Sequence, residues 1–202
     1  MGELDAAEAE SREAQGADAG LPERLRERSP EACAELYDRF APGIHRFAVA
    51  RLGGDVQTAE DVVVETMAAV VGDIGRFKPT RSSLAAWVFG IARRRVQMET
   101  RRQRRRKSPP VHSQVSLEAL GEAGDGGDLA AAAASRLDAR RTVAELRGLL
   151  TDIEFEALAL SCIEDLSAQE IAQVVGRSER AVHSILHRAR TKARERLVSE
   201  DE

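Results

Sequence analysis

Apolar residues recur along most of this chain at intervals of three and four, the spacing of one helix face. The most sharply punctuated stretch is Leu166 to Arg190, LSAQEIAQVVGRSERAVHSILHRAR. Ser167 and Glu170 form a capping box, a hydroxyl answered three residues later by a carboxylate. Ile171, Val174 and Val175 give the short helix that follows one apolar face. Gly176 supplies the left-handed residue that ends it. Ser178 caps a second helix, on which Val182, Leu186, Ala189 and Ala193 face inward and Arg180, Ser184, His187 and Thr191 face out. A short helix, a glycine turn and a longer helix with a polar, cationic outer face form a helix-turn-helix, the geometry that seats a helix in the major groove.

The same spacing predicts the other helices. Ser29, Pro30 and Glu31 are a helix start: a cap, a proline in the first turn and an acid beside the dipole. Cys33, Leu36, Tyr37, Phe40, Ile44, Phe47 and Ala48 follow, with a bend expected at Pro42 and Gly43. Gly53 and Gly54 break the pattern, and Thr58 is expected to cap the next helix, whose apolar side is Val62, Val63, Met67, Val70 and Val71. Residues 72–83 read as a loop. Ser83 caps a helix with Leu84, Trp87, Val88, Ile91 and Val96 inward. Periodicity is lost from Lys107 to Asp128, a stretch rich in Pro, Ser and Gly that reads as a flexible linker. A helix resumes near Leu129 and runs through Leu150, and Thr151 with Glu154 makes a second capping box before Phe155, Leu158, Ala159 and Ile163. The fold expected is all-α: two small helical domains on a flexible linker, the C-terminal one a helix-turn-helix. The boundaries are an acidic tail over 1–28, a domain over 29–107, the linker over 108–136 and a domain over 137–198.

Charge changes this picture. The net charge of −4 argues against indiscriminate nucleic-acid binding, yet the charges are segregated. Residues 1–20 hold six acids and one arginine, too polar to fold alone. Residues 93–107 hold nine bases and one acid, and residues 177–196 seven bases and two acids. Two basic patches on an acidic chain point to two separate contacts with a polyanion. The two cysteines, Cys33 and Cys162, lie far apart with no CxxC motif, so neither a disulfide framework nor a zinc knuckle is supported. His183 and His187 have metal-ligand spacing but no third ligand nearby. No phosphate loop, nucleotide fingerprint, serine elbow or HExxH motif is present, so no catalytic residue and no cofactor is assigned, and the chain reads as a binding module. No apolar run is long enough to span a bilayer and the acidic start is not a signal peptide, which suggests a cytoplasmic protein without membrane insertion.

Three further stretches carry a family resemblance: Glu35-Leu36-Tyr37 with Phe40-Ala41-Pro42, the segment Ala59 to Thr66 (AEDVVVET), and the segment Leu84 to Arg93 (LAAWVFGIAR). Their order, followed by the helix-turn-helix, resembles bacterial RNA polymerase sigma factors of the extracytoplasmic-function (ECF) group of the sigma-70 family. The resemblance implies a factor that binds core RNA polymerase, recognises promoter DNA at its −35 and −10 elements and promotes opening, with an anti-sigma factor as a further partner. It implies that Asp61, Val64, Glu65 and Met67 meet the polymerase. Val64 and Met67 depart from the family, where Gln and Phe are usual. It implies that Phe77, Lys78, Arg81, Ser82 and Ser83, with Arg93, Arg94 and Gln97, read the −10 element. Trp87 has two readings, core packing or melting, and the arginines after residue 100 belong to phosphate contact or linker. On the second helix of the helix-turn-helix, Arg180, His183, Ser184 and His187 would read −35 bases. Ser178 and Glu179 lie alongside, and Arg177, Arg188 and Arg190 suit phosphates. Ile185 stands where the family commonly has a basic residue. Two other functions remain open on the residues alone: a stand-alone helix-turn-helix regulator, which needs a dimerisation surface or ligand pocket, and a helical adaptor that uses neither basic patch on DNA.

Overall fold

A computed structural model describes residues 20–106 and 141–198. Those residues fold into helices joined by tight turns. The expected linker and the first nineteen residues of the expected tail lie outside the described residues.

The chain enters through a helix that the sequence pattern missed. Leu21–Arg26 (α1) begins after Gly20, whose φ of 88° is left-handed, and buries Leu21, Pro22 and Leu25. The Arg26 guanidinium donates to the Phe77 carbonyl at 3.1 Å, and Arg24 pairs with Glu35. The acidic tail therefore does not extend to residue 28. Three apolar side chains among charges cannot hold a six-residue helix alone, but here the first domain covers them.

Pro30–Arg51 (α2) starts where the cap predicts, with the Ser29 hydroxyl accepting from the Ala32 amide at 3.2 Å. Pro42 sits on its exposed side and the helix stays continuous to Arg51. Gly53 and Gly54 turn the chain with φ of 75° and 88°. Val56–Asp73 (α3) is then capped by Asp55, not Thr58. The Asp55 carboxylate accepts from both the Thr58 amide at 3.1 Å and the Thr58 hydroxyl at 2.7 Å. The Asp55 carboxylate satisfies the Thr58 amide itself, so the helix begins three residues earlier than a Thr58 cap would have it. A short 3₁₀ turn, Ile74–Arg76, leads into the loop before Leu84–Arg106 (α4), which Ser83 caps through the Ala86 amide at 3.1 Å. Phe47 and Phe89 meet edge to face, with ring centroids 6.2 Å apart, at the centre of this bundle.

The second half comprises a helix described over residues 141–149 (α5), Asp152–Glu164 (α6), Ala168–Val175 (α7) and Glu179–Val198 (α8). Both expected capping boxes form, Thr151 with Glu154 and Ser167 with Glu170. Gly176 ends α7 with φ 69°, and the Ser178 hydroxyl accepts from the Ala181 amide at 3.3 Å. Glu154 does more than cap. It is 3% exposed and receives Lys192 at 2.8 Å and Arg188 at 3.4 Å from α8, so one carboxylate closes α6 onto α8. The two halves are in contact: α4 packs on α7, α2 on α6, and buried apolar residues run continuously from one half to the other.

The Lys192 hydrogen bond, with the helix-start amides, holds Glu154 well below the ordinary carboxylate range, from 4.5 down to about 2. A depressed carboxylate stabilises the fold above its unfolded pKa and loses that contribution as the pH falls through its folded value. Since Lys192 and Arg188 are themselves partly hydrated, Glu154→Gln is expected to lower stability by about 2 kcal/mol at neutral pH. In urea melts followed by circular dichroism, the difference between the two proteins should shrink between pH 4.5 and pH 2.

Candidate nucleic-acid interface

The recognition helix is arranged as its periodicity requires. Val182, Leu186 and Ala189 are buried, while Arg180, His183, Ser184 and His187 are exposed. The Ser184 hydroxyl donates back to the Arg180 carbonyl at 3.2 Å, and His183 Nε2 lies 3.7 Å from Glu179. Arg177, Ser178 and Glu179 are exposed at the turn, where a helix N-terminus can meet DNA. Ile185 is only 7% exposed. It lies three residues after Val182, beside Leu186, so it joins the apolar stripe instead of facing a groove, and an isoleucine suits that place without desolvating a charge. Two of the expected phosphate anchors are already engaged within the second half. Arg188 holds Glu154, and Arg190 donates to the Ser161 hydroxyl at 3.1 Å.

The −10 candidates surround the loop between the 3₁₀ turn and α4. Lys78 and Arg81 are exposed, and Ser82 and Ser83 are half-buried. Phe77 is not presented to a base. It is 4% exposed and packs at a tilt against Trp87, with centroids 5.3 Å apart and planes at 44°. Trp87 is half-buried against it, so the pair anchors the loop from below. Arg94 is exposed, with its Nε donating to the Gly90 carbonyl at 3.2 Å, and Gln97 is half-buried one turn on. In front of the loop is an open cleft of about 470 Å³. Arg81, Ser82 and Ser83 form one wall and Gln169, Glu170 and Gln173 of α7 the other.

On α3, Asp61 and Glu65 are exposed on one stripe, and Val64 between them is 65% exposed. Glu65 is 3.2 Å from Arg95 of α4. Met67 is 9% exposed and belongs to the core, so the exposed face comprises Asp61, Val64 and Glu65 without it. No cluster of metal-ligating side chains exists among the described residues.

Three charged residues escaped the sequence pattern. Glu156 of α6 is 2% exposed, with Arg93 Nε 2.9 Å away and Arg51 Nε 4.0 Å away. Arg51 also donates to the Asp152 carbonyl at 3.3 Å. Glu164, at the end of α6, lies directly over Gly43 of α2, where a Cβ would collide with its carboxylate, and it accepts from Arg46 at 3.2 Å. No local periodicity marks any of them, because each is defined by a residue far along the chain on the other half, from 63 positions for Arg93 and Glu156 to 118 for Arg46 and Glu164.

Comparison with known proteins agrees with the geometry. The model of sigma-70 region 2 matches residues 36–106, and that of sigma-70 region 4 matches residues 141–192. The chain is 30% identical to the RNA polymerase sigma factor CarQ of Myxococcus xanthus, over 87% of this chain and 94% of CarQ. It is 29% identical to the ECF RNA polymerase sigma factor BldN of Streptomyces coelicolor, over 86% of this chain but only 64% of BldN, so it spans less than two thirds of that protein. Among solved structures it resembles CnrH in complex with the cytosolic domain of CnrY, with a TM-score of 0.65 and 25% identity over 92% of this chain and 99% of CnrH.

Burial pushes the Glu164 carboxyl up to about 7. Arg46 opposes the rise and Asp165 adds to it. A raised carboxyl favours the assembled state fully below its ordinary pKa of 4.5 and loses that contribution as the pH climbs through about 7. Thermal melts of the wild-type chain should therefore show a midpoint that declines over this window from Glu164's share. In Glu164→Gln, which cannot ionise there, the corresponding part of the decline should be absent.

Proposed function

The chain belongs to the sigma-70 family of RNA polymerase sigma factors, in its ECF group, and we propose that it is an alternative sigma factor that directs core RNA polymerase to promoters. The observation that carries this reading is the pairing, in one chain, of a first half matching region 2 and a second half matching region 4 whose recognition helix turns Arg180, His183, Ser184 and His187 outward. In this reading α8 enters the major groove of the −35 element. Its four outward side chains meet base edges, and Arg177, Arg188 and Arg190 lie toward phosphates. The loop at Lys78, Arg81, Ser82 and Ser83, with Arg93, Arg94 and Gln97, holds the −10 strand. Single-stranded DNA needs cations along its backbone and a recess for an unstacked base, and the cleft beside Arg81 offers both. Phe77 and Trp87 act beneath that loop by holding it in place.

Core polymerase docks on Asp61, Val64 and Glu65. An exposed valine flanked by two carboxylates suits a partner that covers an apolar spot and supplies cations around it. An anti-sigma factor is a further partner; CnrH, which this chain resembles, is held in complex with the cytosolic domain of CnrY. The chain performs no chemistry of its own; bond formation belongs to the polymerase. No helix among the described residues is long and apolar enough to cross a membrane, and the protein acts in the cytoplasm, where the polymerase is.

Run-off transcription on genomic fragments tests the reading directly: transcripts should appear only when core polymerase and this protein are both present. Reversing the charge at Asp61 and Glu65 should weaken capture of core polymerase while leaving the helical circular dichroism intact. Unchanged capture would mean that the stripe is merely solvated. Arg180→Ala should lower transcription from the cognate promoter and relax preference at one or two upstream base pairs, at a cost of about 1–3 kcal/mol in discrimination. If binding to all sequences falls equally, Arg180 is a phosphate anchor.

A further inference from the structure

The loop over residues 77–83 is fixed at its exit, in its middle and at its entry. At the exit the Ser83 hydroxyl accepts from the Ala86 amide at 3.1 Å as α4 begins. In the middle Lys78, Pro79, Thr80 and Arg81 close a turn, with the Arg81 amide donating to the Lys78 carbonyl at 2.9 Å. Pro79 takes the second place of that turn, where its fixed φ is already suitable. At the entry the Phe77 amide donates to the Ile74 carbonyl at 3.1 Å. The Phe77 carbonyl accepts from the Arg26 guanidinium, also at 3.1 Å, and that donor lies 51 residues away in sequence, on α1.

Arg26 is itself braced. Another of its nitrogens lies 2.7 Å from the Glu23 carboxylate one turn earlier on α1, so the rigid fork of the guanidinium reaches from its own helix to the loop. The helix beneath it is firmly seated. Leu21 and Leu25 are fully buried in the core of the first half. The chain then leaves α1 by a tight closure: the Arg28 amide returns to the Leu25 carbonyl at 3.0 Å and the Ser29 amide to the Arg24 carbonyl at 3.1 Å. This is a Schellman closure with Arg28, at φ 58°, in the left-handed place usually given to glycine. It fixes the angle at which α1 meets α2. Pro22 and Glu23 also line the cleft beside Arg81, Ser82 and Ser83, so α1 and the loop share one wall of it.

We infer that Arg26 is a positioning residue for the −10 contact. Through the Phe77 carbonyl it sets where the turn over residues 78–81 presents its side chains, so that base preference in the −10 element depends on α1. A side chain discriminates between bases only while its backbone is held still, since a displacement of about 1 Å spoils the geometry of a hydrogen bond. Lys78, Thr80 and Arg81 are exposed on this turn and depend on its backbone for their placing. The inference rests on the reading of this loop as the −10 contact, and it adds α1, which that reading leaves out. Arg26 acts through the loop backbone and touches no DNA.

The test uses the full chain with core polymerase. Arg26→Met removes the donors and keeps an unbranched apolar stem, so the packing of α1 is preserved. Arg24→Met makes the same change two residues earlier on the same helix, where the guanidinium pairs with Glu35 of α2. Circular dichroism melts establish that both variants are folded at the temperature of the assays. Hydrogen exchange reports the loop amides. Run-off transcription is measured on a promoter that the protein uses and on derivatives with single base changes across its −10 and −35 elements. Arg26→Met should speed exchange at the Arg81 amide and its neighbours. It should also reduce preference for the cognate base at one or more −10 positions at least about fivefold, the low end of what one base contact confers. Preference across the −35 element and capture of core polymerase should match the wild type. Arg24→Met should change none of these.

Unchanged exchange in the loop of Arg26→Met overturns the positioning role and leaves the −10 reading of the loop intact. A fall in transcription that is equal on all −10 derivatives overturns it as well, and a salt slope smaller by about one would then identify Arg26 as a phosphate contact. Equal losses in Arg24→Met assign the effect to the seating of α1 as a whole, which also overturns it. If the loop loosens while −10 preference holds, the positioning role fails and Arg81→Ala decides what else does. Lost −10 discrimination in Arg81→Ala keeps the reading of the loop; unchanged discrimination discards that reading too.

Discussion

Two carboxylates two residues apart on α6 do opposite jobs. On a helix that spacing turns side chains roughly 200° apart, so they cannot share a face. Glu154 looks toward α8 and collects Lys192 and Arg188, closing the second half on itself. Glu156 looks toward the first half and meets Arg93 and Arg51. Both are buried, and burial makes the missing partner costly, so each fixes a neighbour in place more firmly than a surface pair could. The orientation of the recognition helix and the closeness of the two halves both depend on this one helix.

The first half holds the loop over residues 77–83 from beneath. Phe77 and Trp87 pack ring against ring at a tilt, α1 covers the turn from one side, and Arg26 is tied to the Phe77 carbonyl. Such anchoring leaves the polar side of the loop for contact while lowering the entropy lost when a strand binds. The aromatic ring that the family resemblance assigned to a base is spent on rigidity. The exposed cations and hydroxyls of Lys78, Arg81 and Ser82 remain on the outer side.

The recognition surfaces differ in how fully they are committed. Arg180, Ser184 and His187 stand clear of the core on α8, in keeping with a face that meets its partner outside the molecule. Arg93 and Ser83 instead have carboxylate partners from the other half, and Arg188 and Arg190 have partners within their own. A cation with an internal partner carries two energies, one for the fold and one for the ligand, and substitution at Arg188 mixes them. Substitution at Arg180 does not, which makes it the cleaner reporter of base reading.

The sequence by itself determined the helices α2 to α4 and α6 to α8, the faces of α8 and both capping boxes, because these depend on residues within one or two turns of each other. The spacing of Val182, Leu186 and Ala189 is enough to state which side of α8 is buried. Even Ile185, which looked like a lost DNA contact, could have been placed inward by counting from Val182. Tertiary structure decided the rest. Whether Leu21 and Leu25 fold depends on a surface supplied by the first domain, and whether Phe77 faces solvent depends on Trp87. The Asp55 cap, by contrast, lies three residues from the amide it accepts and was legible in the sequence. Glu156 and Glu164 owe their burial to residues on the other half, and a charge is buried by what comes to lie against it, which local spacing does not encode.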